Sequence, residues 1–142
     1  MSGRLKIVLR AGERIFLNGA VIKVDRKVGF ELMNDVVFLL EQHVMKAEET
    51  TTPLRQLYFM IQMMLMDPAL HLRARQMASE SIASQLQVFC DAEIKACLNQ
   101  AESFLAADRP LEALKRVRSL FPLEDAIIGR SKKEPEKVQE VA

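Results

Sequence analysis

The sequence predicts an α+β protein in which an N-terminal three-stranded antiparallel β-meander packs on a C-terminal body of four to five helices. Apolar residues alternate with a period of two over the first 25 residues, as they do in strands. From Val28 onward they recur every three to four residues, as they do on one face of a helix. The chain has 142 residues, of which 49% are hydrophobic, enough for a packed core. We expect one domain over residues 1–130, made of a basic meander (1–27) and a helical body (28–130).

The meander is predicted because turn signals separate three short apolar runs. Residues 4–10 alternate apolar with mostly basic side chains, and Ala11-Gly12-Glu13 forms a short turn after them. Residues 14–17 and 20–24 then flank Asn18-Gly19. This dipeptide is the strongest short hairpin signal, because both central residues of such a turn adopt positive φ.

The pairing register divides the meander into two faces. The hairpin sets Arg14 opposite Lys23, and a three-residue first turn sets Arg10 opposite Arg14, although like charges directly opposite each other are destabilising. The face predicted to contact the helices is apolar: Leu5, Ile7, Leu9, Ile15, Leu17, Ala20, Ile22 and Val24. The outer face surrounds one aromatic ring with cations: Arg4, Lys6, Arg10, Arg14, Phe16 and Lys23, with Val8 and Val21.

The outer face is the first candidate binding site. Cations around an exposed aromatic ring bind single-stranded RNA, since phosphates contact the cations and a base stacks on the ring. The net charge of the whole chain is only +1, but residues 1–28 hold seven basic and two acidic residues. The alternative is a solvated sheet face whose charges bind nothing.

The helical body is predicted from apolar spacing and from two cap-plus-proline signals, Thr52-Pro53 and Asp67-Pro68. In chain order, the predicted helices span about 29–46, 53–66, 68–107 with a bend near Asp91, and 111–120, where Phe121-Pro122 closes the last one. The charged tail, residues 131–142, lacks aromatic residues and is expected to be disordered.

Two helical segments suggest further surfaces. Met60 and Met63 add apolar area beyond the stripe that holds Met64, so their helix is either buried on most sides or lines a groove for a partner. The second interpretation leaves a homodimer or a companion protein open. A secondary basic patch is formed by Arg109, Lys115, Arg116 and Arg118, which either favour the helix dipole or contact phosphates.

No motif predicts an enzyme, a metal site or a cofactor. His43 and His71 are each isolated in helical patterns, with only weak neighbouring ligands, and no nucleophile elbow, Walker loop or dinucleotide fingerprint is present.

We read Cys90 and Cys97 as two buried thiols of one helical segment in a reducing compartment. With no signal peptide and no membrane-spanning run, we expect a cytoplasmic protein that does not contact a membrane.

Three separated blocks of the sequence resemble the FlbT family of bacterial flagellar regulators. The blocks are Leu9-Arg-Ala-Gly-Glu-Arg-Ile-Phe-Leu-Asn-Gly-Ala-Val21, Thr51-Thr-Pro-Leu-Arg-Gln-Leu-Tyr-Phe59 and Glu112-Ala-Leu-Lys-Arg-Val-Arg-Ser-Leu-Phe-Pro122. The resemblance covers roughly residues 4–124, in the family's order. It implies association with the 5′ untranslated region of flagellin mRNA, promotion of its degradation, and a companion flagellar protein, FlaF.

Two functional hypotheses follow. In the first, the chain is an RNA-binding repressor of flagellin synthesis that is not itself a nuclease. In the second, it is a helical adaptor or chaperone-like partner of flagellin or FlaF, with little direct RNA binding.

Overall fold

Five strands precede the helices in the part of the chain that the structure describes. The computed structural model describes residues 5–34 and 36–129, so the predicted tail and Arg4 lie outside the described residues. The strands are β1 (Leu5–Leu9), β2 (Arg14–Leu17), β3 (Ala20–Lys23), β4 (Val28–Leu32) and β5 (Phe38–Leu40). The helices are α1 (Pro53–Met66), α2 (His71–Val88), α3 (Ala92–Ala106), α4 (Pro110–Ser119) and α5 (residues 121–129). The predicted α+β class is confirmed.

The strands form two antiparallel sheets instead of one meander. The β2–β3 hairpin has the predicted register, with Arg14 opposite Lys23. However, β1 pairs with β4 and not with β2, while β5 pairs with the other edge of β2. Arg10 follows the last paired residue of β1, so the predicted Arg10–Arg14 opposition is wrong.

The predicted helix at 29–46 is also wrong, because this segment forms β4, β5 and a 3₁₀ turn at Glu41–His43. In β4, Phe30 and Leu32 alternate with Gly29 and Glu31, and only the first pair packs into the apolar layer. The pattern that predicted a helix counted Phe30 among its apolar positions but did not include Leu32, although both residues lie on the same face of β4. A glycine and several β-branched residues lower the helix propensity of the segment, so pairing with β1 determines its structure.

The two sheets enclose a small apolar layer of their own. Ile7 and Leu9 of β1 and Ile15 of β2 are buried there, and inward-facing side chains of β4 and β5 pack around them. The face predicted to contact the helices therefore packs only in part, against the other sheet, and three of its predicted members are exposed: Leu5, Ala20 and Ile22. The opposite face of the β3-β2-β5 sheet covers the helices, through Phe16 and Leu39.

The helices pack around α1, which begins after the predicted Thr52 cap. The expected bend near Asp91 is a full break, because the Asp91 carboxylate accepts the N–H groups of Glu93 and Ile94 and starts α3. α5 begins at Phe121-Pro122, where the last predicted helix was expected to end, and proline is well tolerated in a first turn. No described helix is long and apolar enough to cross a membrane.

The two cysteines differ in their surroundings, so the prediction of two buried thiols in one helix is wrong. Cys97 is buried in α3, whereas Cys90 is exposed in the connection between α2 and α3. Both thiols are free.

Candidate functional site

Four cations gather at one end of the strands, which we call the basic end: Arg10, Arg14, Lys23 and Lys27. Antiparallel pairing places the end of β1 beside the start of β4, and the start of β2 beside the end of β3. Two backbone hydrogen bonds hold the turns in place, from Gly12 N–H to the Val24 carbonyl (2.7 Å) and from Val24 N–H to the Glu13 carbonyl (3.1 Å). All four side chains are exposed.

The basic end borders a cleft of about 420 Å³ that contains Arg10, Lys27 and Gln42. Two nearby carboxylates are already engaged by backbone groups. Glu13 accepts the N–H of Arg10 at 2.6 Å, and Glu41 accepts the N–H of Arg14 at 2.8 Å. Within residues 5–34 and 36–129, none of the four cations forms a salt bridge. Their charge is therefore available to an anionic ligand.

The structure brings together three of the six predicted RNA-binding residues: Arg10, Arg14 and Lys23. Lys6 lies further along β1, opposite Glu31 of β4. Phe16 is half-buried and packs against the helical core, so its prediction as an exposed stacking platform is wrong. The sequence interpretation did not assign Lys27, because its place beside Arg10 depends on the unpredicted β1–β4 pairing.

A second concave surface, the edge groove, lies between β1, β5 and α4. Its volume is about 250 Å³, and it is lined by Leu5–Val8, Phe38–Leu40, His43, Leu111 and Lys115. Lys6 and Lys115, which the sequence assigned to two different patches, both line this groove. The edge groove meets the cleft of the basic end at Val8 and Leu40, which line both.

The predicted secondary basic patch does not exist as one surface. Arg109 pairs with Glu112 and stacks on Phe104, whereas Lys115 lines the edge groove. Arg116 donates to Gln100 Oε1 (2.8 Å) and Cys97 Sγ (3.0 Å) on α3, and Arg118 points to α1. These four side chains therefore project in different directions from α4 and from the residue that precedes it, and three of them have partners in the fold.

Arg118 joins α4 to α1 and to the turn after β5. Its guanidinium donates to the Tyr58 hydroxyl, which in turn donates to the backbone carbonyl of His43. Burial raises the pKa of Tyr58, although Arg118 acts in the opposite direction. Burial, followed by the charges of Arg118 and Lys115, lowers the pKa of His43. The imidazole beside the edge groove is therefore neutral at pH 7.

Arg55 of α1 makes the corresponding contact with α5. Its guanidinium lies 4.5 Å from the centre of the Phe121 ring and donates to both oxygens of Asp125, at 2.8 and 3.0 Å. This hydrogen bonding raises the pKa of Arg55 and lowers that of Asp125. Arg55, Tyr58, Arg118 and Phe121 all belong to the second and third resembling blocks, which therefore meet each other in the fold.

Met60 and Met63 are half-buried and pack against the helical core. Of the two sequence interpretations, the structure shows α1 buried on most sides: it contacts α2, α4, β2 and β5. In the described part of the chain, no three His, Cys, Asp or Glu side chains are grouped in a way that could hold a metal ion.

The fold and the basic end define a small α+β protein with a surface suited to anionic ligands. The chain belongs to the FlbT family: the family described as "Flagellar protein FlbT" matches residues 5–128, which confirms the resemblance in the sequence. Curated relatives carry the name "Probable flagellum biosynthesis repressor protein FlbT". The relative from Mesorhizobium japonicum is 51% identical over 129 residues, covering 91% of this chain and 88% of its own length. The relative from Allorhizobium ampelinum is 45% identical over 141 residues, covering 99% and 95%.

A relative from Brucella anthropi with the same name is 47% identical over 125 residues, covering 88% of this chain and 82% of its own length. No solved structure matches the chain.

Proposed function

We propose that this protein represses flagellum synthesis after transcription, by binding the 5′ untranslated region of flagellin mRNA at the basic end. The names of its relatives support the regulatory role in flagellum biosynthesis. The observation that supports RNA as the ligand is the set of four exposed cations at the basic end, of which Arg10 and Lys27 line the cleft and none forms a salt bridge with a described residue. The protein would act in the cytoplasm, where the message is translated, with FlaF as a companion.

Phosphate contacts at the basic end would supply most of the affinity. Binding to about four phosphates of a single strand gives a slope of log affinity against log salt of about −3, since each phosphate contributes roughly −0.7. Phe16 is half-buried against the helical core, so it does not offer the exposed ring that was expected to stack on a base. Gln42, whose amide can both donate and accept hydrogen bonds, is the cleft side chain best suited to contact a base edge.

Repression would follow from occupancy of the leader. A protein bound near the ribosome-binding region blocks initiation, and an untranslated message is open to cellular nucleases. Message decay in this mechanism needs no nuclease activity in the chain itself.

The test is the affinity of the full chain for a flagellin leader RNA over a range of salt concentrations. We expect Arg14→Glu and Lys27→Glu each to weaken binding at least tenfold and to flatten the salt slope. Lys95→Glu makes the same charge change at an exposed position of α3, outside the basic end, and should leave affinity nearly unchanged. Equal affinity of Arg14→Glu and the unmodified protein would exclude the basic end as the RNA site.

The edge groove favours a second candidate function, a protein-binding adaptor or chaperone-like partner of flagellin or FlaF. In that case the full chain would lower flagellin output while binding the leader no better than an unrelated RNA of the same length.

A further inference from the structure

The strands form an incomplete barrel with a gap on one side. Side chains of β1 and β4 face side chains of β2 and β5 across one shared apolar layer, as in a barrel interior. The order of strands is β4-β1 in one sheet and β5-β2-β3 in the other. β1 and β5 thus each have one edge without a partner strand in the described chain, and both edges line the edge groove.

The backbone of β5 is oriented to pair with a further strand. Asn18 N–H donates to the Val37 carbonyl at 2.8 Å, so this pair and the Phe16–Leu39 pair are the hydrogen-bonded ones of the β2–β5 ladder. Because bonding alternates along an antiparallel strand, the N–H and C=O of Phe38 and the N–H of Leu40 point away from β2. They face the side of β5 that has no partner strand.

The side chains around the edge groove define the chemistry of a ligand. Most are apolar, and the exceptions are Lys6, His43 and Lys115; none of the lining residues is acidic. Lys115 forms no salt bridge with a described residue, and Lys6 forms none either, although Glu31 lies opposite it on β4. A ligand with apolar and acidic groups would complement this surface.

We propose that the edge groove binds an extended segment of a partner protein as an added strand between β5 and β1. Alternate apolar side chains of the segment would enter the gap in the barrel, and acidic side chains would contact Lys6 and Lys115. Main-chain hydrogen bonds to an unpaired strand edge provide affinity in this mode, and side-chain pockets provide specificity. A peptide fits better than RNA, which cannot continue a β-ladder.

This proposal does not depend on RNA binding at the basic end, and it would give the adaptor hypothesis its binding site. The test is selection of about ten-residue peptides from a random display library on the full chain, followed by affinity measurement with synthetic copies. We expect selected peptides to alternate apolar residues and to contain Asp or Glu. Methylation of alternate backbone nitrogens should abolish their binding.

A double variant, Lys6→Glu with Lys115→Glu, should weaken these peptides at least tenfold, whereas Lys27→Glu with Lys95→Glu should not. Both pairs are exposed, and thermal unfolding monitors that each variant remains folded. The proposal is overturned if no peptide is enriched, if the selected peptides are not acidic, or if they bind the groove variant equally well. Loss of leader RNA binding in the groove variant, without loss of peptide binding, would instead assign the groove to nucleic acid.

Discussion

The carboxylate of Glu124 in α5 accepts the backbone N–H of Leu54, in the first turn of α1, at 2.9 Å. The same carboxylate accepts a hydrogen bond from the Thr52 hydroxyl, and Nη1 of Arg55 lies 3.5 Å from its Oε1 atom. The first N–H groups of a helix have no partner within the helix, and they carry partial positive charge. Glu124, which is 0% exposed, therefore caps α1 from 70 residues further along the chain and links α5 to the centre of the helical body.

Replacement of this carboxylate should destabilise the fold. We expect Glu124→Ala to lower the free energy of unfolding by about 1–3 kcal/mol, because it leaves buried donors unpaired. Urea denaturation measures the change. Asp125→Asn, which alters the exposed partner of Arg55, is the matched control and should have a smaller effect. Equal losses in the two variants would contradict the role of Glu124 as the buried cap.

The turn of the β2–β3 hairpin rests on the start of the α1–α2 connection. Gly19 has a φ of +87°, and a Cβ atom there would lie 2.8 Å from Cγ of Pro68. Gly19→Ala should therefore combine the cost of a left-handed residue, about 1–2 kcal/mol, with a steric clash.

Gly12→Ala isolates the first of these costs. Gly12 has a similar φ of +84°, but a Cβ atom there would meet no other atom within 4 Å. We expect Gly19→Ala to lower the urea midpoint more than Gly12→Ala does. If the two variants are equally stable, the hairpin turn does not pack closely against Pro68 in solution.

Local signals predicted the parts of the fold that depend on local chemistry. Asn18-Gly19 fixed the hairpin register, and Thr52-Pro53 marked a helix start that the structure contains. The β1–β4 ladder instead joins Ile7 to Phe30, across an intervening hairpin. No local pattern distinguishes this pairing from a meander, since both satisfy the alternation in β1.

The candidate site was predictable only in part for the same reason. The alternation in β2 correctly separated Ile15 from Phe16, but it could not show that side chains on both faces of β2 pack against other parts of the fold. Three cations of the basic end were identified because their hairpin and turn are local. Lys27 and the edge groove required knowledge of which strands lie next to each other.

Phe16 provides a direct test of this revised face assignment. We expect Phe16→Ala to lower the free energy of unfolding by about 1–3 kcal/mol, less than for a fully buried ring, because Phe16 packs on the helical core while half-buried. Val21, its cross-strand neighbour, is 59% exposed, so Val21→Ala should change stability by no more than about 0.5 kcal/mol. Loss of RNA affinity in Phe16→Ala at unchanged stability would restore Phe16 as a stacking platform.

His43 should make stability depend on pH. Burial, with the charges of Arg118 and Lys115, lowers the pKa of His43 in the folded protein below the ordinary value of 6.5. Below pH 6.5, His43 therefore binds a proton more readily in the unfolded chain than in the folded protein. The free energy of unfolding consequently falls as the pH falls. The loss begins near the unfolded pKa and stops growing once the pH is below the folded pKa.

Urea denaturation between pH 7.5 and about 5.5 measures this dependence above the range in which most carboxylates titrate. We expect His43→Asn to reduce the slope of stability against pH in this window. His71→Asn replaces the other histidine, whose Nε2 lies 3.2 Å from the Asp108 carboxylate, and it controls for the general loss of an imidazole. If His43→Asn retains the full slope, another group is responsible. A reduced slope would show that burial and the charges of Arg118 and Lys115 keep the imidazole at the edge groove neutral in the folded protein.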